Sequence, residues 1–255
     1  MMLRHLAVAT VSTLALAAPL QAQDGQFSFT LRGGVSSAPE YFGSDDYKAG
    51  PDAGFRFNYL RLGNGREFGT PDPWDDPTGW GLHGSFRYIG ERDSSDHSEL
   101  RGLDDVDAVL ELGLGIGYSS EYFSGYADVR RGFGGHESWV GEIGADAILR
   151  PTPDLRLSLG PRLFYGSDGY TDTYFGITPA EASATLPAYD PDGGLVSAGI
   201  ELGARYRIND AWGLEGAVTW QQFRNDAADS PIVENGSDDQ WRVRLGVTRT
   251  FNLRF

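Results

Sequence analysis

The 255-residue chain contains no cysteine, and Lys48 is the only lysine among its 21 basic residues. Without thiols there is no disulfide scaffold, thiolate zinc site, cysteine nucleophile or lipid-modified cysteine anchor. Positive charge is scarce overall. Asp and Glu number 36, leaving a formal charge of -15, the reverse of what a protein that neutralises phosphates needs, and nucleic acid is excluded as a partner. Long apolar runs are missing beyond the first twenty residues, and the mean hydropathy is -0.35. The early run, Leu6 to Leu20, follows Arg4 and His5 and precedes the small residue Ala22. Residues 1–22 therefore read as a secretory signal peptide cleaved after Ala22, since a run of about 15 residues falls short of the roughly 20 that a spanning helix needs. Residues 23–255 form the mature protein, and if that protein sits in a membrane it does not cross as helices.

What is present in excess is glycine, 35 residues, together with 6 Trp, 12 Tyr and 14 Phe. Glycine is about twice its usual share of roughly 7%, which suggests many strands and turns. The remaining chain alternates with period two. In residues 196–208, Val196, Ala198, Ile200, Leu202, Ala204, Tyr206 and Ile208 share one parity, while Ser197, Glu201, Arg205 and Arg207 share the other. A strand separates these sets cleanly, whereas a helix scatters them. The same parity recurs in residues 27–35, 55–59, 80–88, 106–118, 122–131, 139–149, 155–165, 212–220 and 241–255, giving ten strands.

A soluble sandwich also alternates. Long strands, aromatics at strand ends, the export signal and the alternating C-terminal residues Phe251, Leu253 and Phe255 favour an all-β fold, a transmembrane antiparallel up-and-down β-barrel. Arg249 interrupts the apolar parity, which marks either an interface or a slip in register. Connections alternate in length, as such barrels require. Residues 119–121, 151–154 and 209–210 are short and read as periplasmic, while 38–50, 91–105, 132–138, 167–193 and 225–240 are long and read as extracellular. Residues 62–78 are long on the short side. Asn64-Gly65 within them is a strong hairpin dipeptide, so twelve strands is the alternative.

With the apolar parity facing lipid, Arg32, Arg87, Glu111, Glu142, Arg162, Glu201, Arg205, Glu215, Arg242 and Arg244 point into the lumen as a charge network. Buried charges need partners, and a ten-stranded lumen is little wider than its side chains can fill, so the interior is expected to be narrow or plugged. The functional reading is a narrow, Arg-lined small-solute or ion channel; the plainer one is that the charges satisfy each other. The acid excess collects in residues 167–193 and 225–240, where it could share divalent cations with lipopolysaccharide or simply be solvated. His97 and His136 lie in expected extracellular loops beside Asp96 and Ser138, but no nucleophile elbow, H-E-x-x-H helix or phosphate loop accompanies them. No enzyme activity, cofactor or metal is expected.

The loops carry recognisable words: APEYFGSDDY from Ala38, GLDDVDAVLELGL from Gly102, YTDTYFGITPAEA from Tyr170, LPAYDPDGG from Leu186 and NDAADSPIV from Asn225. In this order the chain resembles the MipA/OmpV family of MltA-interacting outer-membrane proteins, with Pro39, Tyr41, Gly43, Ser44, Asp45, Tyr174, Phe175, Gly176, Asp229, Ser230 and Pro231 as the motif residues. The family's usual C-terminal ending falls nearer Thr248 to Phe251, leaving Asn252 to Phe255 as an extension. The resemblance implies the cell outer membrane, contact with its lipid and lipopolysaccharide, and, for the founding member, a scaffold joining a murein hydrolase to a murein synthase. Such partners would be met from the periplasm, where residues 62–78 offer the sizeable surface. Alternatively, Pro39 to Asp46, Tyr174 to Pro179 and Asp229 to Val233 fold inward and cap the lumen.

Overall fold

The computed structural model describes residues 25–75 and 77–255; the expected signal peptide, residues 1–22, lies outside them. Eleven strands form one antiparallel sheet: β1 Gln26–Pro39, β2 Tyr47–Arg61, β3 Glu67–Gly69, β4 Gly79–Ile89, β5 Val109–Ser119, β6 Phe123–Gly134, β7 Trp139–Thr152, β8 Leu155–Gly166, β9 Gly194–Arg207, β10 Trp212–Phe223 and β11 Asp239–Arg254. The order is β3-β2-β1-β11-β10-β9-β8-β7-β6-β5-β4, so the first and last long strands pair, with Gln26 opposite Arg254 and Ser37 opposite Val243. The sheet curls enough for Arg87 of β4 to lie 4.2 Å from the ring centre of Phe164 on β8. Its two edges, β2 with β3 on one side and β4 on the other, share no ladder among the described residues.

The expected count of ten, or alternatively twelve, is corrected to ten long strands and one of three residues. The chain does reverse at Asn64-Gly65, where Gly65 N–H donates to Leu62. The hairpin then stops at Gly69, whose φ is +81° and where a Cβ would sit 2.0 Å from the Asn58 carbonyl oxygen. Pro71 and Pro73 follow, and neither has an N–H for a ladder. A second correction concerns β2, which begins at Tyr47 rather than near Phe55. Gly50, Pro51 and Gly54 hide its alternation, and Pro51 is tolerated because β2 runs along an edge.

Every second strand side chain points outward, and most of these are apolar. Leu82 and Leu114 are 85% and 74% exposed, a loss of hydrophobic burial that water would penalise and a hydrocarbon solvent does not. Trp80 packs beside Tyr118 at the turn end of the strands, and Trp220 beside Trp241 at the loop end, so two aromatic girdles bound the apolar band. Arg249 causes no slip in register. It pairs with Trp212 in the ladder and lies 5.0 Å from the ring centres of both Trp212 and Phe251, a cation laid over interfacial aromatics near the turn end. No helix of the described residues is long and apolar enough to cross a membrane.

Candidate functional site

The inward parity assembles three groups of ion pairs along the lumen. Glu111 of β5 is fully buried and takes Arg87 of β4 at 2.6 Å, Arg130 of β6 at 3.0 Å and His136 at 3.3 Å. Arg130 continues to Glu142 of β7 at 2.8 Å, and Tyr126 donates to the other oxygen of Glu142 at 2.6 Å. Further along the wall, from β7 to β11, Arg162 bridges Asp146 and Glu201, Arg244 reaches Glu201 at 3.4 Å, and Thr219 donates to the remaining Glu201 oxygen at 2.8 Å. Nearer the turn end Arg32 holds Asp52 and Glu215, and Arg56 crosses from β2 to the same Glu215. Arg205 donates to the Pro73 carbonyl and sits 5.6 Å from the Trp74 ring centre, so the connection after β3 reaches the lower lumen. Arg242 borders the central cavity.

The loop end is closed by a plug. Helices α1 Asp168–Phe175, α2 Asn225–Ala228 and α3 Pro231–Glu234, with residues 40–46 and 92–106, bury two apolar clusters. One holds Val106, Val140, Phe164, Tyr170, Tyr174, Phe175, Val196, Phe223, Ala227 and Val233; the other holds Tyr41, Leu100, Leu103, Ile177, Leu186 and Ile232. Phe42 meets Tyr174 edge-on at 4.9 Å and stacks on Phe175 at 6.2 Å. Gly43 has φ of +99°, and a Cβ there would press on Val233 at 3.0 Å, so only glycine lets residues 40–46 lie flat on α3.

Ser230 ties two helices together. It caps α3, accepting from Ile232 N–H at 3.3 Å, and donates to the Phe175 carbonyl at the end of α1 at 2.7 Å. Pro231 occupies the first turn of α3, where its missing N–H costs nothing. Glu181 accepts from the Thr178 and Asp104 amides at 2.8 and 2.7 Å. Burial works to raise its pKa and is outweighed by these hydrogen bonds, so the carboxyl titrates below the ordinary Glu range. Burial likewise pushes the Tyr41 phenol up, reinforced by its hydrogen bond to Glu99.

The motif residues are thus brought together at one end of the barrel wall. Tyr41, Gly43, Ser44, Tyr174, Phe175, Ser230 and Pro231 are buried in the plug, Gly176 ends α1, and Pro39 ends β1, while Asp45 and Asp229 stand exposed on its outer surface. That convergence accompanies a clear match. A family model described as MltA-interacting protein MipA covers residues 31–251. The chain belongs to the MipA family. Omp26La of Vibrio anguillarum and OmpV of Vibrio cholerae serotype O1, both described as outer membrane proteins, are each 30% identical over 165 residues. The match covers 62% of this chain and 61% of each relative, so it spans about three-fifths of their length. Among solved structures, the NanC porin has a TM-score of 0.39 at 6% identity, covering 89% of this chain and 98% of that one. OprG of Pseudomonas aeruginosa has a TM-score of 0.30 at 11% identity, covering 88% and 96%. This MipA-family chain is an outer-membrane β-barrel protein, and its long loops define the extracellular end.

Three further residues organise the interior of this MipA-family barrel, and sequence reasoning gave none of them this role. Arg92, buried in the plug, donates to the carbonyls of Tyr174 and Asp104. His136 was of interest as a catalytic candidate; it packs edge-on against Tyr170, accepts from Ser138 N–H through Nδ1 and turns Nε2 toward Glu111, leaving neither nitrogen for a serine hydroxyl. Tyr126 shares the inward parity of the weakly alternating residues 122–131, but an aromatic there gives no sign that it meets Glu142. His97 lies at the rim, 3.3 Å from Glu40 and beside Tyr41. Among the described residues no three His or acidic side chains converge as metal ligands.

Proposed function

We propose that the protein is a plugged, non-enzymatic outer-membrane barrel, exported by residues 1–22, that serves as a scaffold for murein hydrolase and synthase on its periplasmic side. The observation carrying this reading is the way the extracellular loops are spent on filling the lumen: Phe175, Ile232 and Val233 are buried inside it, where a pore would need water. The family description names MltA as a partner, and the periplasmic surface available to such a partner centres on residues 62–78. The edges of β2 and β4 run in opposite directions, and we read them as the seam at which the wall closes in the bilayer. The lipid-facing girdles contact outer-membrane lipid, and the acidic loops face lipopolysaccharide.

Two measurements test the reading. Deleting residues 64–76 is expected to abolish retention of murein enzymes by the purified barrel; unchanged retention would overturn the scaffold role. In planar bilayers the full chain is expected to be silent, and discrete steady conductance would favour the Arg-lined channel instead. Because the chain has no cysteine, pairs introduced on β2 and β4 report closure of the seam without background.

A further inference from the structure

Under the plug lies a cavity of about 500 Å³ bordered by six arginines and four glutamates, a volume suited to a small-molecule ligand. The two acids on the barrel wall, Glu142 and Glu201, are already committed. Both oxygens of Glu142 are taken by Arg130 and Tyr126, and both oxygens of Glu201 by Arg162, Arg244 and Thr219. Arg242, which faces this space, has no hydrogen bond or ion pair among the described residues. Arg87 and Arg244 border the same space. Arg244 itself makes a single ion contact, at the long distance of 3.4 Å. Gln221 and Gln240 add further amide groups to the lining.

Arg242 is thus a solvent-accessible guanidinium that no carboxylate takes, set in the wall of a cavity, where surrounding protein focuses attraction for an anion more than an open surface does. We propose that Arg242, assisted by Arg244, binds the phosphate or carboxylate group of an anionic ligand in this cavity. The planar fork of an arginine matches such groups in a two-pronged contact. The site does not depend on the scaffold role, since an anion can be held under a closed plug whether or not murein enzymes dock below.

The test uses the full mature chain in a zwitterionic detergent, titrated calorimetrically with inorganic phosphate and with glucose 6-phosphate, and with glucose as the neutral control. Both anions are expected to bind and glucose not to. Arg242→Gln should weaken the anions at least tenfold, while Arg242→Lys keeps part of the affinity. Independently of any variant, phosphate should protect Arg242 of the native protein from phenylglyoxal, read by peptide mapping. Native mass spectrometry separates the sources: an anionic lipid that is retained by the native protein and displaced by phosphate makes a lipid headgroup the ligand, and phosphate binding to lipid-free protein makes it a soluble anion. Equal heats for phosphate and glucose, an Arg242→Gln protein that binds like the native one, or absence of protection would overturn the proposal.

Discussion

Replacing Ser230 with alanine removes two interactions through one hydroxyl. The first is the cap of α3, in which the side chain accepts from Ile232 N–H; losing such a cap costs about 1 kcal/mol. The second is the bond to the Phe175 carbonyl at 2.7 Å. That carbonyl has no helical alternative, because Pro179, four residues on, lacks an N–H, and Ser230 and Phe175 are both fully buried. A buried carbonyl left without a donor costs about 1–3 kcal/mol. The plug should therefore open more easily by about 2–4 kcal/mol, which at about 1.4 kcal/mol per tenfold is from about thirtyfold to nearly a thousandfold. Native-state hydrogen exchange in detergent reads this directly in the amides of α1 and α3, with the ladder amides of β5 to β9 as an internal reference. Ser230→Gly separates the two contributions, since glycine caps within a few tenths of a kcal/mol of serine, and its exchange should still accelerate through the lost Phe175 bond. Exchange within threefold of the native protein for both variants would refute the reasoning and mean that water already serves the carbonyl.

Three further outcomes follow from the same geometry. Glu111→Gln leaves Arg87 and Arg130 without their shared carboxylate in a fully buried position, and should destabilise the folded barrel by about 3–5 kcal/mol in urea unfolding followed by gel mobility. Leu114→Arg, at the middle of β5 on the outer face, should cost about 2–4 kcal/mol in bilayers and little in a soluble reading of the fold; equal stability to the native protein would count against lipid contact. Glu181 and Glu99 both titrate below the ordinary Glu range. Burial works against this at Glu181, but hydrogen bonds from Thr178 and Asp104 prevail; at Glu99 a backbone hydrogen bond leads, with Tyr41 adding to it. Since their folded-state pKa values are depressed, their contribution to holding the loops is present above about pH 4.3, the unfolded value, and is lost as pH falls through the lower folded values. Proteolysis of the 92–106 and 167–193 loops should accelerate on acidification from pH 5 to pH 3, and Glu181→Gln should weaken that dependence.

The wall of the barrel was open to reading because alternation is a local signal: a strand places residues i and i+2 on one face whatever lies across from it. This holds for β9 from Ala198 to Tyr206, and it fails at Val196, which turns into the plug beside the register shift at Phe164 and Tyr165, and at the start of β2, where Gly50, Pro51 and Gly54 supply no apolar marker. The plug helices were invisible for a related reason. In α1 the buried residues Tyr170, Thr171, Tyr174 and Phe175 do recur at helical spacing, but eight residues are shorter than the window in which such a period can be told from chance.

Charge parity likewise marks Arg32, Arg87, Arg162, Glu201 and Glu215 as inward-facing from the sequence alone. Which charge meets which was beyond local pattern. Arg32 and Glu215 are 183 positions apart, and they meet because pairing of β1 with β11 bends the sheet until residues on non-adjacent strands face each other. The same curvature sets Phe175 under Ser230, turns Trp74 toward Arg205, and leaves Arg242 without an ion pair among the described residues. A periodicity records which way a side chain points, and only the long-range closure of the sheet decides what it finds there.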